Sequence, residues 1–371
     1  MILGIDVSTL FEELDAGSKY YDNGRCLGEY EALDMFRKNG VSHFRIRLWN
    51  HPYDNDGNKY LGGTCDYDNF VKLSKVALKK GYKILLDFHY SDFWADPGKQ
   101  TLPKAWMGLS LNELATKVYE YTLEVLEKAK EEGIPIDMVQ IGNEITNGML
   151  WPLGRLIEHE NDERTNYESL IKLLKSGIKA TREVFPKAKI VIHLERSYDQ
   201  VIYNEYFTKM IENGVDFDII GASYYPYWHG TMDEFFANME MCRKFNKKLM
   251  VMELGYAFTL EDYITNNNGQ INLVVNRDNL DSFSFVKKYP FTPSGQEKFI
   301  EDFLERANEA KLDGVFYWEP MWIPGKNICW ASKEGQKYIG EEGKSTRNEW
   351  ANQCLFDYSG NKLPSFDKFK I

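Results

Sequence analysis

The stretch Ile136-Asp137-Met138-Val139-Gln140-Ile141-Gly142-Asn143-Glu144 decides how the chain is read. An apolar run ends in a polar cluster, the pattern of a buried parallel strand with chemistry at its C-terminal tip. An Asn-Glu pair alone carries little weight. A second carboxylate, Glu253, closes another run of the same kind, Lys248-Leu249-Met250-Val251-Met252-Glu253. Two carboxylates at two strand tips are the groups that cleavage of a glycosidic bond requires.

Outward from this stretch the same unit recurs: apolar strand, polar tip, loop, amphipathic helix. Strands are expected at about 3–10, 43–49, 83–89, the run ending in Glu144, 189–194, 218–224, 248–253 and 314–319. Helices are expected near 29–39, 67–80, 111–132, 167–184, 199–213, 231–245 and 294–310, several ending at Gly40, Gly81 or Gly133 or before Pro186. Right-handed crossovers between short apolar strands imply a parallel sheet, and eight units imply closure into a (β/α)8 TIM barrel. The length beyond the ~250 residues typical of that fold falls in βα loops after strands 3, 4, 7 and 8. No linker divides the chain, so a single catalytic domain over 1–371 is expected.

Composition narrows the function classes. Of 371 residues, 45 are basic and 56 acidic, giving a net charge of −11. An acidic body with no basic run excludes a nucleic-acid partner, and no apolar stretch approaches the ~20 residues of a membrane span. The five cysteines, Cys26, Cys65, Cys242, Cys329 and Cys354, lack metal or disulfide spacing and read as isolated thiols. The 9 Trp, 23 Tyr and 22 Phe exceed what a core needs, as in proteins that stack sugars on aromatic faces. Met1 stands directly before the first strand. Either the chain is intracellular, or a leader was trimmed and a start methionine supplied.

Polar residues gather at strand C-termini: Arg45 and Arg47, Asp87 and His89, Asn143 and Glu144, Ser223 with Tyr224 and Tyr225, Glu253, then Trp318 and Glu319. Residues two apart share a face of a strand, so Arg45 and Arg47 point one way, as do Asp87 and His89. Charges aimed into a barrel are costly unless paired or used. Strands 4 and 7 lie on opposite walls, so Glu144 and Glu253 converge. Glu144 is assigned as acid/base with a raised pKa, and Glu253 as the ionised nucleophile, with Arg47 as the cation that keeps it charged. Among the loop tryptophans, Trp228 and Trp318 are the expected sugar platforms. His89 has no second ligand at metal spacing, and no metal ligands are assigned.

These motifs resemble glycoside hydrolase family 53, the endo-β-1,4-galactanases of clan A. The likeness rests on Arg45-Ile46-Arg47-Leu48-Trp49-Asn50, on the run from Leu86 to Gln100, on Gln140 to Ile145 with Gly148-Met149-Leu150-Trp151-Pro152, on Ser223 to Gly230 and on Tyr317-Trp318-Glu319-Pro320. It spans nearly the whole chain. The resemblance implies the same two catalytic glutamates and a loop, Asp96-Pro97-Gly98-Lys99, that lines the groove. It also implies β-1,4-galactan, as in pectin side chains, as the polysaccharide substrate. Bacterial members often bind a structural calcium in an Asp/Gly/His-rich loop after strand 7. Here that segment reads Glu261-Asp262-Tyr263-Ile264-Thr265-Asn266-Asn267-Asn268-Gly269, poor in charged ligands, so calcium is disfavoured and no cofactor is required.

The reading is therefore a retaining endo-β-1,4-galactanase, acting as a monomer, with Arg47, Asp87, His89, Asp96, Lys99, Asn143, Tyr225, Trp228 and Trp318 binding substrate. The rivals are another clan A glycosidase of mannanase or xylanase type, or a non-catalytic carbohydrate-binding barrel. A polymer substrate argues for secretion, the missing leader against it.

Overall fold

Runs such as Ile84-Leu85-Leu86 are apolar at consecutive positions because both faces of the sheet are covered. The structure, a computed structural model, describes residues 1–158, 164–264, 272–276 and 284–370. Eight parallel strands form the sheet: β1 (Ile2–Asp6), β2 (Val41–Leu48), β3 (Lys83–Phe88), β4 (Met138–Ile141), β5 (Lys189–Leu194), β6 (Ile219–Tyr224), β7 (Lys248–Leu254) and β8 (Gly314–Trp318). They close into a barrel, β8 pairing with β1 from Ile2 opposite Gly314 to Asp6 opposite Trp318. This is the (β/α)8 architecture expected.

Alternate residues of the strands go to different cores. Leu85, Met138, Val191, Ile219, Met250, Met252 and Phe316 fill the barrel interior. Ile84, Leu86, Val139, Ile190, Ile192 and Ile220 face outward into a larger cluster shared with the helices. Those helices are α1 (Glu31–Lys38), α2 (Tyr67–Lys79), α3 (Leu111–Glu131), α4 (Tyr167–Val184), α5 (Gln200–Glu212), α6 (Met232–Cys242), α7 (Pro293–Glu309) and α8 (Pro364–Lys368). Side chains start several of them. Asp66 accepts from Asn69 N at the head of α2, and Ser110 with Glu113 and Thr231 with Glu234 form capping boxes on α3 and α6. All five cysteines are free thiols, and no helix among the described residues is long and apolar enough to cross a membrane.

Two expected strands end early, both for reasons that bear on the site. β1 stops at Asp6 because the Asp6 carboxylate accepts from Ser8 N and Ser8 Oγ, at 3.1 and 2.7 Å, and curls the chain into a short helix at Leu10–Asp15. β4 stops at Ile141, since Gly142 (φ 82°) and Glu144 (φ 48°) take left-handed conformations. A Cβ at Gly142 would lie 2.7 Å from Ile145 Cγ2, so glycine is required there on two counts. Of the segment weighed for calcium, residues 265–271 lie outside the described residues. In the part before it, Asp262 accepts from Ile264 N and Asn272 Nδ2.

Packing inside the barrel is tight where β1 faces β8. A Cβ on Gly4 would stand 2.2 Å from two ring carbons of Phe316. Gly4→Ala is expected to force the ring off its rotamer and lower stability by about 1–3 kcal/mol, read as a lower denaturation midpoint with an unchanged denaturant slope.

Candidate active site

The C-terminal mouth of the barrel opens into a cleft of about 550 Å³. Beneath it lies a buried charge network. Arg45, fully buried, reaches Asp6 from β1 at 3.1 Å, Asp87 from β3 at 2.8 Å and Glu253 from β7 at 2.9 Å. It also donates from Nε to Gln140 Oε1 at 3.2 Å and from Nη2 to Asn143 Oδ1 at 2.8 Å. Burial alone would pull the guanidinium pKa down. The carboxylates of Asp87, Glu253 and Asp6 outweigh that and push it up, so the cation is permanent.

The partner of Glu253 is therefore Arg45 and not Arg47, correcting the sequence expectation. Arg47 stands two residues further along β2 and meets a different pair, Asp6 at 3.0 Å and Glu319 at 2.7 Å. Its guanidinium lies 4.8 Å from the ring centre of Trp94 and 5.1 Å from that of Trp318. Two residues along a strand is one layer nearer the mouth, and at that layer the available carboxylate is Glu319. Asp87 likewise does not reach the cleft. It is fully buried, accepting from His89 Nε2 at 3.0 Å and Gln140 Nε2 at 2.7 Å as well as pairing with Arg45. His89 lines the cleft, but Nδ1 accepts from Trp49 Nε1 and Nε2 bonds Asp87, so both ring nitrogens are committed to protein partners.

Glu144 and Glu253 face each other across the cleft floor, and their nearest carboxylate oxygens lie within 4.8 Å. Both are buried, which raises both pKa values. Their other surroundings differ. Glu144 has Glu253 and Glu195 as further acidic neighbours, opposed by the Ser223 hydroxyl. Glu253 has Arg45 and the Tyr225 hydroxyl, which donates to Oε2 at 2.9 Å. A proton shared by this pair therefore sits on Glu144 and leaves Glu253 ionised.

The cleft also contains Asp96, Lys99, Asn143, Tyr225, Trp228 and Trp318. Lys99 bridges Asp96 at 2.5 Å and Glu341 at 3.1 Å. Trp228 is 45% exposed, the exposure a stacking platform needs, whereas Trp318 is packed edge-on against Trp350 with ring centres 4.5 Å apart. Of the other loop tryptophans, Trp94, Trp322 and Trp330 reach the cleft. Trp106 is core, set against Tyr121, and Trp151 stacks under Arg155. Residues that sequence reasoning did not single out are His193 and Glu195 on and after β5, and Tyr198 and Trp350 in loops. His193 was hidden within an apolar strand, its only signal being a polar residue that faces inward near a strand end.

A closed parallel barrel whose mouth holds two facing carboxyl groups inside an aromatic cleft defines a glycoside-cleaving enzyme. The chain belongs to glycosyl hydrolase family 53, whose family model matches residues 2–369. An endo-beta-1,4-galactanase of Bacillus subtilis (strain 168) is 34% identical over 390 residues, covering 100% of this chain and 85% of that one. An uncharacterised protein from the bgaB 5′ region of Niallia circulans is 37% identical, covering 100% and 93%. The family 53 catalytic domain of Ignisphaera aggregans superposes with a TM-score of 0.85 at 39% identity, over 99% of this chain and 95% of that chain.

The charge network makes its own prediction. Arg45→Met leaves three buried carboxylates without their common cation. A loss of about 3–5 kcal/mol is expected, measured by chemical denaturation at pH 7.

Proposed function

We propose that the chain is a retaining endo-β-1,4-galactanase that hydrolyses β-1,4-galactan by double displacement. The observation that carries the reading is the separation of Glu144 and Glu253. With oxygens no more than 4.8 Å apart, the pair lies on the short side of the about 6.5–9.5 Å at which an inverting enzyme holds a water between its carboxyls, the side of the about 5–5.5 Å of retaining enzymes. The substrate follows from family membership and from the galactanase activity named for the Bacillus subtilis relative.

In the first half-reaction a Glu253 oxygen attacks the anomeric carbon as the bond to the leaving sugar breaks. The proton on Glu144 passes to the leaving oxygen. In the second, Glu144, now a carboxylate, takes a proton from water, whose oxygen displaces Glu253 from the anomeric carbon. Two inversions give net retention, and neither step calls on a cofactor. Arg45 and the Tyr225 hydroxyl stabilise Glu253 as an anion before attack and as a leaving group afterwards. Asn143, Trp228 and the Asp96–Lys99 loop line the cleft where the polymer would lie.

Product analysis on linear galactan tests sugar, linkage and mode together. A β-configured first-formed end is expected, with mannan and xylan left intact. An α-configured first product would refute double displacement, and cleavage of xylan or mannan in place of galactan would move the chain to another substrate. Glu253→Ala should abolish galactan hydrolysis, with azide restoring turnover as an α-galactosyl azide. Near-normal turnover by this variant would overturn the assignment.

Tyr225→Phe gives a prediction in pH. The hydroxyl bonds the charged form of Glu253, so its removal raises the Glu253 pKa. Stability and activity at neutral pH persist, while the acidic limb of kcat/KM moves to higher pH, seen by comparing pH–rate profiles.

A further inference from the structure

Behind Glu144, away from the opposing carboxylate, lies a chain of hydrogen bonds that the two half-reactions do not yet use. Glu144 Oε1 is 2.5 Å from Ser223 Oγ on β6, and Ser223 Oγ is 2.9 Å from His193 Nε2 on β5. His193 Nδ1 is 3.0 Å from Asn143 Oδ1 and 3.2 Å from Gln140 Nε2 on β4. Ser223 and His193 are both fully buried. Glu144 Oε2 has no hydrogen bond among the described residues, and the residue borders the cleft, so Oε2 is the oxygen that meets substrate. Resting on the reading of Glu144 as acid/base, we infer that Ser223 and His193 are its positioning residues: a relay that fixes Oε1 and stabilises the carboxylate left after the first half-reaction.

A serine hydroxyl has one proton and accepts on its lone pairs. When Glu144 is ionised, Oε1 can only accept, so the Ser223 proton points at it and Ser223 Oγ must in turn accept from His193 Nε2–H. His193 then has a bare Nδ1, and the Gln140 amide is positioned to donate to it. When Glu144 holds the transferable proton on Oε2, Oε1 is still an acceptor and the same arrows stand, with a weaker bond from Ser223. Only a proton on Oε1 reverses them, Glu144 donating to Ser223, Ser223 to His193 Nε2, and His193 Nδ1–H to Asn143 Oδ1. Asn143 is fixed as an acceptor at that oxygen, because its Nδ2 donates to Ala95 O at 3.0 Å and its Oδ1 takes Arg45 Nη2. Nδ1 of His193 thus has an acceptor, Asn143 Oδ1, at 3.0 Å and a donor, Gln140 Nε2, at 3.2 Å, the latter shared with Asp87 Oδ1 at 2.7 Å, so either ring tautomer finds a partner at Nδ1.

The relay does not carry the proton off, because His193 stays neutral. Burial pushes its pKa well down, and Arg45, His89 and His229 add to that. The other groups facing Glu144 are Glu253 from β7, Glu195 after β5 and Asp96 after β3, all carboxylates that favour the protonated form. The Ser223 hydroxyl opposes them and favours the ion that the second half-reaction needs as base.

The test is the pH profile of kcat/KM on galactan for Ser223→Ala, His193→Ala, the double variant and Ser223→Thr. In kcat/KM the alkaline limb reports the free enzyme's essential acid. Loss of a hydrogen bond to the charged form raises that pKa, so Ser223→Ala should move the limb up by about one pH unit. Ser223→Thr, which keeps the hydroxyl, should return it. His193→Ala should shift the limb the same way but less, and the double variant should match Ser223→Ala alone, since the histidine acts only through the serine. An aryl β-galactoside whose leaving group needs no protonation should be attacked at close to the normal rate. A folded Ser223→Ala enzyme with an unmoved limb, or additive effects of the two changes, would overturn the relay. Should Ser223→Ala not fold, an unmoved limb in His193→Ala would do the same. Failure of the functional reading has a different signature: wild type inactive on galactan, or Glu144→Gln without a loss of about 10²–10⁴ in rate.

Discussion

One planar group sets the geometry of the site. The Arg45 guanidinium has five N–H donors in a rigid fork, and its contacts go to Gln140, Asn143, Asp6, Asp87 and Glu253. Those partners come from β1, β3, β4 and its tip, and β7. Because Asn143 and Glu253 bond the same fork, the strand-4 tip that carries Glu144 and the strand-7 tip that carries Glu253 are tied to one rigid spacer. The guanidinium dimensions thereby fix the spacing between the two strand tips that carry the carboxyl groups. A lysine, a point charge on a flexible stem, would supply the charge without the spacing.

The charge balance of this layer explains where the proton resides. Asp6, Asp87, Glu144, Glu253 and Glu319 are all buried, and the arginines that meet them are Arg45 and Arg47. Full ionisation would leave excess negative charge in a poorly solvated interior, which the protein avoids by keeping some carboxyls protonated. Burial is the first force that raises a carboxyl here, and the nearest charges decide how far it goes. Burial lifts Glu319 to about 8, with the like charge of Asp6 adding to it, and Arg47 and the Thr9 hydroxyl offset only part of that. Glu144 has no arginine contact among the described residues, and burial beside Glu253 and Glu195 raises it well above the ordinary carboxylate range. An acid catalyst thus arises from a deliberate shortage of cations around one carboxyl in a network that satisfies its partner.

Much of this was legible in the sequence because strand tips are short and the residue types are extreme. Charged residues two apart in an apolar strand, as at Arg45-Ile46-Arg47, have one explanation in a barrel. Glu144 and Glu253 were legible for the same reason. The choice between Arg45 and Arg47 was not, since it depends on which carboxylates share a layer across the barrel. That in turn depends on the stagger between β1, β2 and β7, which side-chain patterning does not encode. Trp106, Trp151 and Trp322 look alike in sequence, and only the path of the long loops sends Trp322 to the cleft and the other two elsewhere. The end of β1 was misjudged because Asp6-Val7-Ser8 alternates like a strand, while the Asp6 carboxylate captures Ser8 and turns the chain.

A regular strand could not have built this site at all. Alternate residues of a strand face opposite sides, so of two neighbours at a tip only one would point into the barrel. Asn143 and Glu144 are neighbours, yet Asn143 reaches Arg45 and Glu144 borders the cleft. The left-handed turn at Gly142 and Glu144 is what brings both to the same side. Such a backbone costs of the order of 1–3 kcal/mol at a non-glycine residue, and it is held by Gln100 Nε2 donating to Asn143 O at 2.8 Å and by the Asn143 side chain on Ala95 O. The end of β8 repeats the device. Glu319 is also left-handed, at φ 47°, so that Trp318 faces the cleft while the next residue binds Arg47. Two local departures from strand geometry, at two points of the rim, let the barrel seat twice as many functional groups there as alternation would permit.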